Sequence, residues 1–172
     1  MLSLVRMIER MTGGIGLIAA LVVAPLVLAT VYEVFSRYLF NAPTIWAYEL
    51  AYMAMGTNFL LGAAFTLRER GHIRIDVAYS HFSPRLKALI DSLGYLLFFL
   101  PVAWWLSWGL WNYAYGALLS GETSGESAWN PVIWPFRLVF FLGFLMLALQ
   151  GTAELIKALL VLSGRPPSEP SR

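Results

Sequence analysis

The sequence predicts an all-α fold, an integral membrane bundle of four transmembrane helices. Hydrophobic residues make up 59% of its 172 residues and charged residues only 13%, where a soluble domain carries roughly 45–50% and about 25%. The apolar residues fall in four runs, 13–35, 45–67, 88–119 and 131–162. Each supplies the roughly 20 residues that cross a hydrocarbon core about 30 Å thick. None alternates as a lipid-facing barrel strand does, so all four read as helices. The basic residues also cluster: Arg6 and Arg10 precede the first run, Arg68, Arg70, Arg74, Arg85 and Lys87 lie between the second and third, and Lys157, Arg165 and Arg172 close the fourth. The positive-inside rule places those segments, and both termini, in the cytoplasm.

The elements follow in order. Residues 1–12 put Ser3, Arg6, Glu9 and Arg10 on one helical face, with Leu2, Val5 and Ile8 elsewhere. That pattern suits a short interfacial helix lying on the membrane, or else the start of the first span. The first span outruns a signal-peptide core and ends at Tyr32-Glu33 with no small-residue cleavage site, so it reads as a retained helix. Asn41-Ala-Pro-Thr44 is a turn in which Thr44 can cap the second helix. Gly71 can end that helix as a left-handed cap. Asp76 can cap a short interfacial helix over 77–82. Ser83-Pro84 is an N-cap followed by proline at the first helical position, opening the third span. At 1.5 Å per residue that span would run roughly 48 Å, so it tilts or projects beyond the membrane. Residues 1–163 form one domain, and the polar, proline-rich tail 164–172 reads as disordered.

Few residues offer chemistry. There is no cysteine, which excludes disulfides, thiolate nucleophiles and iron–sulfur clusters. Neither of the two histidines, His72 and His81, lies in a span, so no facing pair of axial haem ligands exists. His72 and Asp76 lack a third ligand at metal-site spacing. Catalytic residues, metal ligands and cofactors are therefore not expected. The basic pI of about 9.0 follows from topology and implies no nucleic-acid partner. Glu33 and Arg37 sit four apart at the outer end of the first helix, and Glu49 lies across the turn from Arg37. Together these predict an ion-pair cluster locking the first hairpin. Asn58 reads as an interhelical hydrogen-bonding group, and Gln150 and Glu154, one turn apart, as packing or interfacial contacts. Trp104, Trp108, Trp111 and Tyr115, at i, i+4, i+7 and i+11, form an aromatic stripe. It serves as an interfacial belt or as the contact face for a larger membrane partner. With no internal repeat, and spans nearly dry at mid-depth, a duplicated carrier fold is disfavoured.

The turn Arg37-Tyr-Leu-Phe-Asn-Ala-Pro43, with Trp46 and Glu49 behind it, resembles the first hairpin of the small, DctQ-type membrane subunit of tripartite ATP-independent periplasmic (TRAP) transporters. Leu67-Arg-Glu-Arg-Gly-His-Ile-Arg-Ile-Asp76 is similar to that family's cytoplasmic signature, with Gly71, His72 and Asp76 at matching places. Gly121-Glu-Thr-Ser124, Trp129-Asn-Pro131, Trp134-Pro135 and Leu149-Gln150 resemble a branch of the same family. The resemblance spans roughly residues 10–160. It implies a multi-pass subunit of a bacterial inner membrane that buttresses a large multi-helix membrane subunit and helps dock a periplasmic solute-binding protein, for cation-coupled uptake of an organic acid. It assigns no residue of this chain to solute or ion. A non-catalytic anchor for a membrane enzyme complex and an autonomous small carrier are the competing readings.

Overall fold

The computed structural model describes residues 2–69 and 82–164. Four helices are long and apolar enough to cross a membrane: α1 (Leu2–Leu39), α2 (Ala47–Arg68), α3 (Pro84–Ser120) and α4 (Trp134–Leu162). They run up, down, up and down. α2 packs between α1 and α4, and α4 touches all three others and is the most buried of the four. Among the described residues no strand forms beyond an isolated Thr123–Val132 bridge.

The interior is built from small residues. Ala19, Ala64, Ala103, Ala148 and Ala153 are buried, whereas Leu28, Phe59, Trp105 and Leu119 face outward. A water-soluble core would show the reverse. In a bilayer the tails solvate large apolar side chains, and helices associate where backbones approach closely. At Gly143 a β-carbon would stand 2.9 Å from the Leu60 carbonyl oxygen on α2, and at Gly151 it would meet the Phe99 ring on α3. Asn58 Nδ2 donates to the Ala19 carbonyl at 2.8 Å, joining α2 to α1.

The expected helix starts meet three different outcomes. Residues 2–12 do not form a separate interfacial helix. α1 runs unbroken from Leu2, because Val5 and Ile8 find the closing turns of α4 and bury against Ala153, flanked by Leu149 and Ile156. Burying that stripe against a partner helix removes more apolar surface than laying it on headgroups. Second, α3 begins at Pro84 as expected, with Leu86 N–H donating to Ser83 Oγ at 3.3 Å as its cap, and it carries an unforeseen π-helical turn at Tyr95–Phe99. Pro101 follows directly and has no N–H for the turn below it, so the ladder widens there. Third, α4 starts at Trp134, because 131–133 are used by the loop before it. Gly71, His72, Asp76, the helix expected over 77–82 and the tail beyond Gly164 lie wholly or mostly outside the described residues.

Candidate functional site

The polar side chains gather at the two ends of the bundle. At the end carrying both termini, a chain of bonds crosses from α1 to α4. Thr12 Oγ1 donates to Gln150 Oε1 at 3.0 Å, Gln150 Nε2 donates to Glu154 Oε1 at 2.9 Å, and Lys157 bridges Glu154 and Glu9, the latter at 3.1 Å. Gln150 and Thr12 are fully buried. Buried amides and carboxylates are tolerable only when paired: Gln150 finds Thr12 on the facing helix, and Glu154 finds Gln150 and Lys157 on its own. Gln150 therefore joins α4 to α1 directly, and Glu154 orients the Lys157 that joins them at Glu9.

At the opposite end the first hairpin is held by one carboxylate. Glu33 accepts from Arg37 Nε at 2.8 Å and from the Thr44 backbone N–H at 2.9 Å, and also takes the Thr44 hydroxyl. Thr44 Oγ1 in turn accepts the Ala47 N–H at 3.3 Å, at the start of α2. Tyr32 stacks on Trp46 with ring centroids 5.8 Å apart, and Pro43 sits in the turn between them. The N-cap of α2 is Trp46 rather than Thr44, whose hydroxyl takes the first N–H of the helix from two residues further back, and Arg37 pairs with Glu33 along its own helix.

The expected pairing of Arg37 with Glu49 does not form. Glu49 is fully buried and accepts from the Ser127 hydroxyl; its Oε1 has no partner among the described residues. The helical register decides this. Glu49 is on the first turn of α2, where its side chain is fully buried under Ser127 of the loop after α3, while Arg37 stays exposed.

Ser127 belongs to the loop 121–133, which is pinned at several points. Gly121 (φ +65°) ends α3 in the left-handed conformation that glycine adopts without strain. Ser124 N–H donates to Pro131 O at 2.9 Å and Ile133 N–H to Glu122 O at 3.0 Å. Gly125 N–H donates to Asn130 Oδ1 at 2.8 Å. Arg137, in the first turn of α4, clamps Glu122 with two bonds of 2.7 and 2.5 Å, and its guanidinium lies 3.7 Å over the Tyr113 ring of α3. The Arg137 guanidinium holds the Glu122 carboxyl below its ordinary range. Sequence reasoning missed Arg137, Ser127 and Tyr113. The available signal was a lone arginine three residues into an otherwise apolar run, which needs a nearby acid.

The aromatic stripe runs along one side of α3. Trp111 stacks on Tyr115 at 6.2 Å and touches Phe141 of α4 at 5.2 Å, while Trp108 is the most exposed of the four, at 70%. All four stripe residues are exposed, Trp111 and Tyr115 included. No group of three or more metal-capable side chains occurs among the described residues.

Residues 26–161 match the family model described as tripartite ATP-independent periplasmic transporters, DctQ component. Comparison with curated proteins yields no match.

Proposed function

The chain belongs to the DctQ component family of tripartite ATP-independent periplasmic transporters, and from that premise we propose that it is the scaffold on which the transporter's large membrane subunit moves and a periplasmic solute-binding protein docks. Membership makes it a multi-pass small membrane subunit of such a transporter and implies those two partners. The scaffold role, with uptake of an organic acid coupled to a cation and no catalysis by this chain, is our reading.

One observation carries it. Polar side chains along the spans are committed to main-chain carbonyls: Asn58 to Ala19, Thr57 to Met53, Thr66 to Gly62 and Ser107 to Ala103. An anionic solute crossing here would need polar groups free to replace its hydration at mid-depth. With those groups occupied, the solute path belongs to another chain. The exposed α3 stripe, Trp108 above all, then supplies a rigid face for the large subunit. The pinned loop 121–133 supplies an ordered surface beyond the membrane for the binding protein. Arg6, Arg10, Arg68, Arg85 and Lys157 all lie at the end bearing the termini, which the positive-inside rule assigns to the cytoplasm of a bacterial inner membrane.

Reconstitution tests the reading. Vesicles holding the large subunit and this chain, supplied with the binding protein and a cation gradient, are expected to accumulate solute. Vesicles lacking this chain are expected to accumulate none. Full uptake without it overturns the scaffold role, and uptake by this chain alone establishes a carrier instead.

A further inference from the structure

We propose that a groove along the first turns of α1 binds the phosphodiester headgroup of an acidic membrane lipid. Ser3, Arg6, Met7, Arg10 and Met11 line an open groove of about 340 Å³. Arg6 and Arg10 are one helical turn apart, so their like charges face one another at a cost. Among the described residues neither has a carboxylate partner. The acid beside them in sequence, Glu9, is taken up by Lys157 of α4, at 3.1 Å. Arg6 Nε reaches only the Leu2 carbonyl, at 3.5 Å. Two exposed guanidiniums one turn apart, left uncompensated by the fold, are a receptor for an anion with several acceptor oxygens.

Two further features select a lipid over a free ion. A third guanidinium stands at the membrane-side end of the same stripe. Gly13 lies three residues beyond Arg10 and seven beyond Arg6, hence on the same face, and Arg68 Nη1 of α2 rests where the Gly13 β-carbon would be, at 2.7 Å. Arg68 has a loose contact with Glu69, at 3.7 Å, and lies over the Phe65 ring, 5.9 Å from its centroid. The basic stripe therefore continues toward the bilayer rather than away from it. Met7 and Met11, both exposed, form the apolar wall of the groove and give acyl chains a surface to follow. A phosphate diester between polar cations and a thioether wall is the headgroup position of a phospholipid lying against a helix end.

Titration of the full chain in detergent, read by native mass spectrometry, tests this with three probes: dioleoylphosphatidylglycerol, dioleoylphosphatidylcholine and inorganic phosphate. The phosphatidylglycerol adduct is expected at the lowest lipid ratio, with phosphatidylcholine bound weakly and millimolar phosphate unable to displace the acidic lipid. Removing one arginine should weaken the adduct roughly fivefold and removing both about 30-fold. R6Q/R10Q is the main variant, and R10Q alone serves if the double variant does not fold. R85Q removes the same charge at the same end of the bundle but outside the groove, and should bind as the unmodified chain does. Equal binding of the two lipids, displacement by phosphate, or equal losses in R85Q and R6Q/R10Q would each overturn the site.

Discussion

Arg137 and Glu122 are fifteen residues apart in sequence, yet they meet fork to fork at 2.7 and 2.5 Å across the base of the loop between α3 and α4. The Tyr113 ring backs the guanidinium on its other face, so three segments converge on one side chain. R137Q should speed amide exchange throughout 121–133 while leaving α1 and α2 protected. The pH dependence has a definite sign. Glu122 is held below its ordinary value of 4.5, so the clamp's contribution is fully present above about that pH and is lost as pH falls through the lowered value. Loop protection is expected to stay flat from neutral pH to about 4.5 and to fall below it, and E122Q should flatten that profile. A loop that exchanges equally fast in both proteins would show the clamp to be idle.

Glu49 and Ser127 form the second tether. Ser127→Ala removes the donor to a fully buried carboxyl, and an unsatisfied buried acceptor costs about 1–3 kcal/mol. The thermal midpoint of the solubilised chain should drop accordingly. E49L/S127A, which removes both polar groups, should recover much of that loss. An unchanged midpoint in Ser127→Ala would show that the bond contributes nothing.

Close approach of α2 and α4 rests on Gly143. Its added methyl would press on the Leu60 main chain, which cannot swing aside as a side-chain tip can. Gly143→Ala should cost about 1–3 kcal/mol of stability, read as a lowered midpoint. Gly116→Ala, where nothing stands within 4 Å, should be neutral or slightly stabilising through helix propensity. The reverse order would refute the packing assignment.

The aromatic face can be tested without disturbing insertion. Replacing Trp104, Trp108 and Trp111 together with Leu keeps α3 apolar but removes flat, rigid contact area. The variant is expected to reach the membrane, co-purify poorly with the large subunit and support little uptake. Normal co-purification would assign the stripe to lipid alone.

Topology has its own measurement. Single cysteines at Ser3 and Ser83 should resist an impermeant thiol reagent in intact cells, and one at Ser124 should react. Labelling at Ser83 but not Ser124 would invert the orientation.

Much of the architecture was legible in the sequence because it depends on quantities that do not need a partner. Apolar run length against bilayer thickness determined the four spans. Ser83-Pro84 determined where α3 opens. The four-residue spacing of Glu33 and Arg37 determined their pairing, since both neighbours lie on one helix. Tertiary structure alone decided which groups meet across elements. Glu49 looked toward Arg37 by proximity in sequence, but the register of α2 turns it inward, where Ser127 of a distant loop reaches it. Residues 2–12 read equally as an interfacial helix until α4 offered Val5 and Ile8 a place to bury. Local spacing specifies contacts within a helix, whereas contacts between helices follow from how small residues let backbones approach. That is a property of facing pairs, such as Gly143 and Leu60, and no single segment carries it.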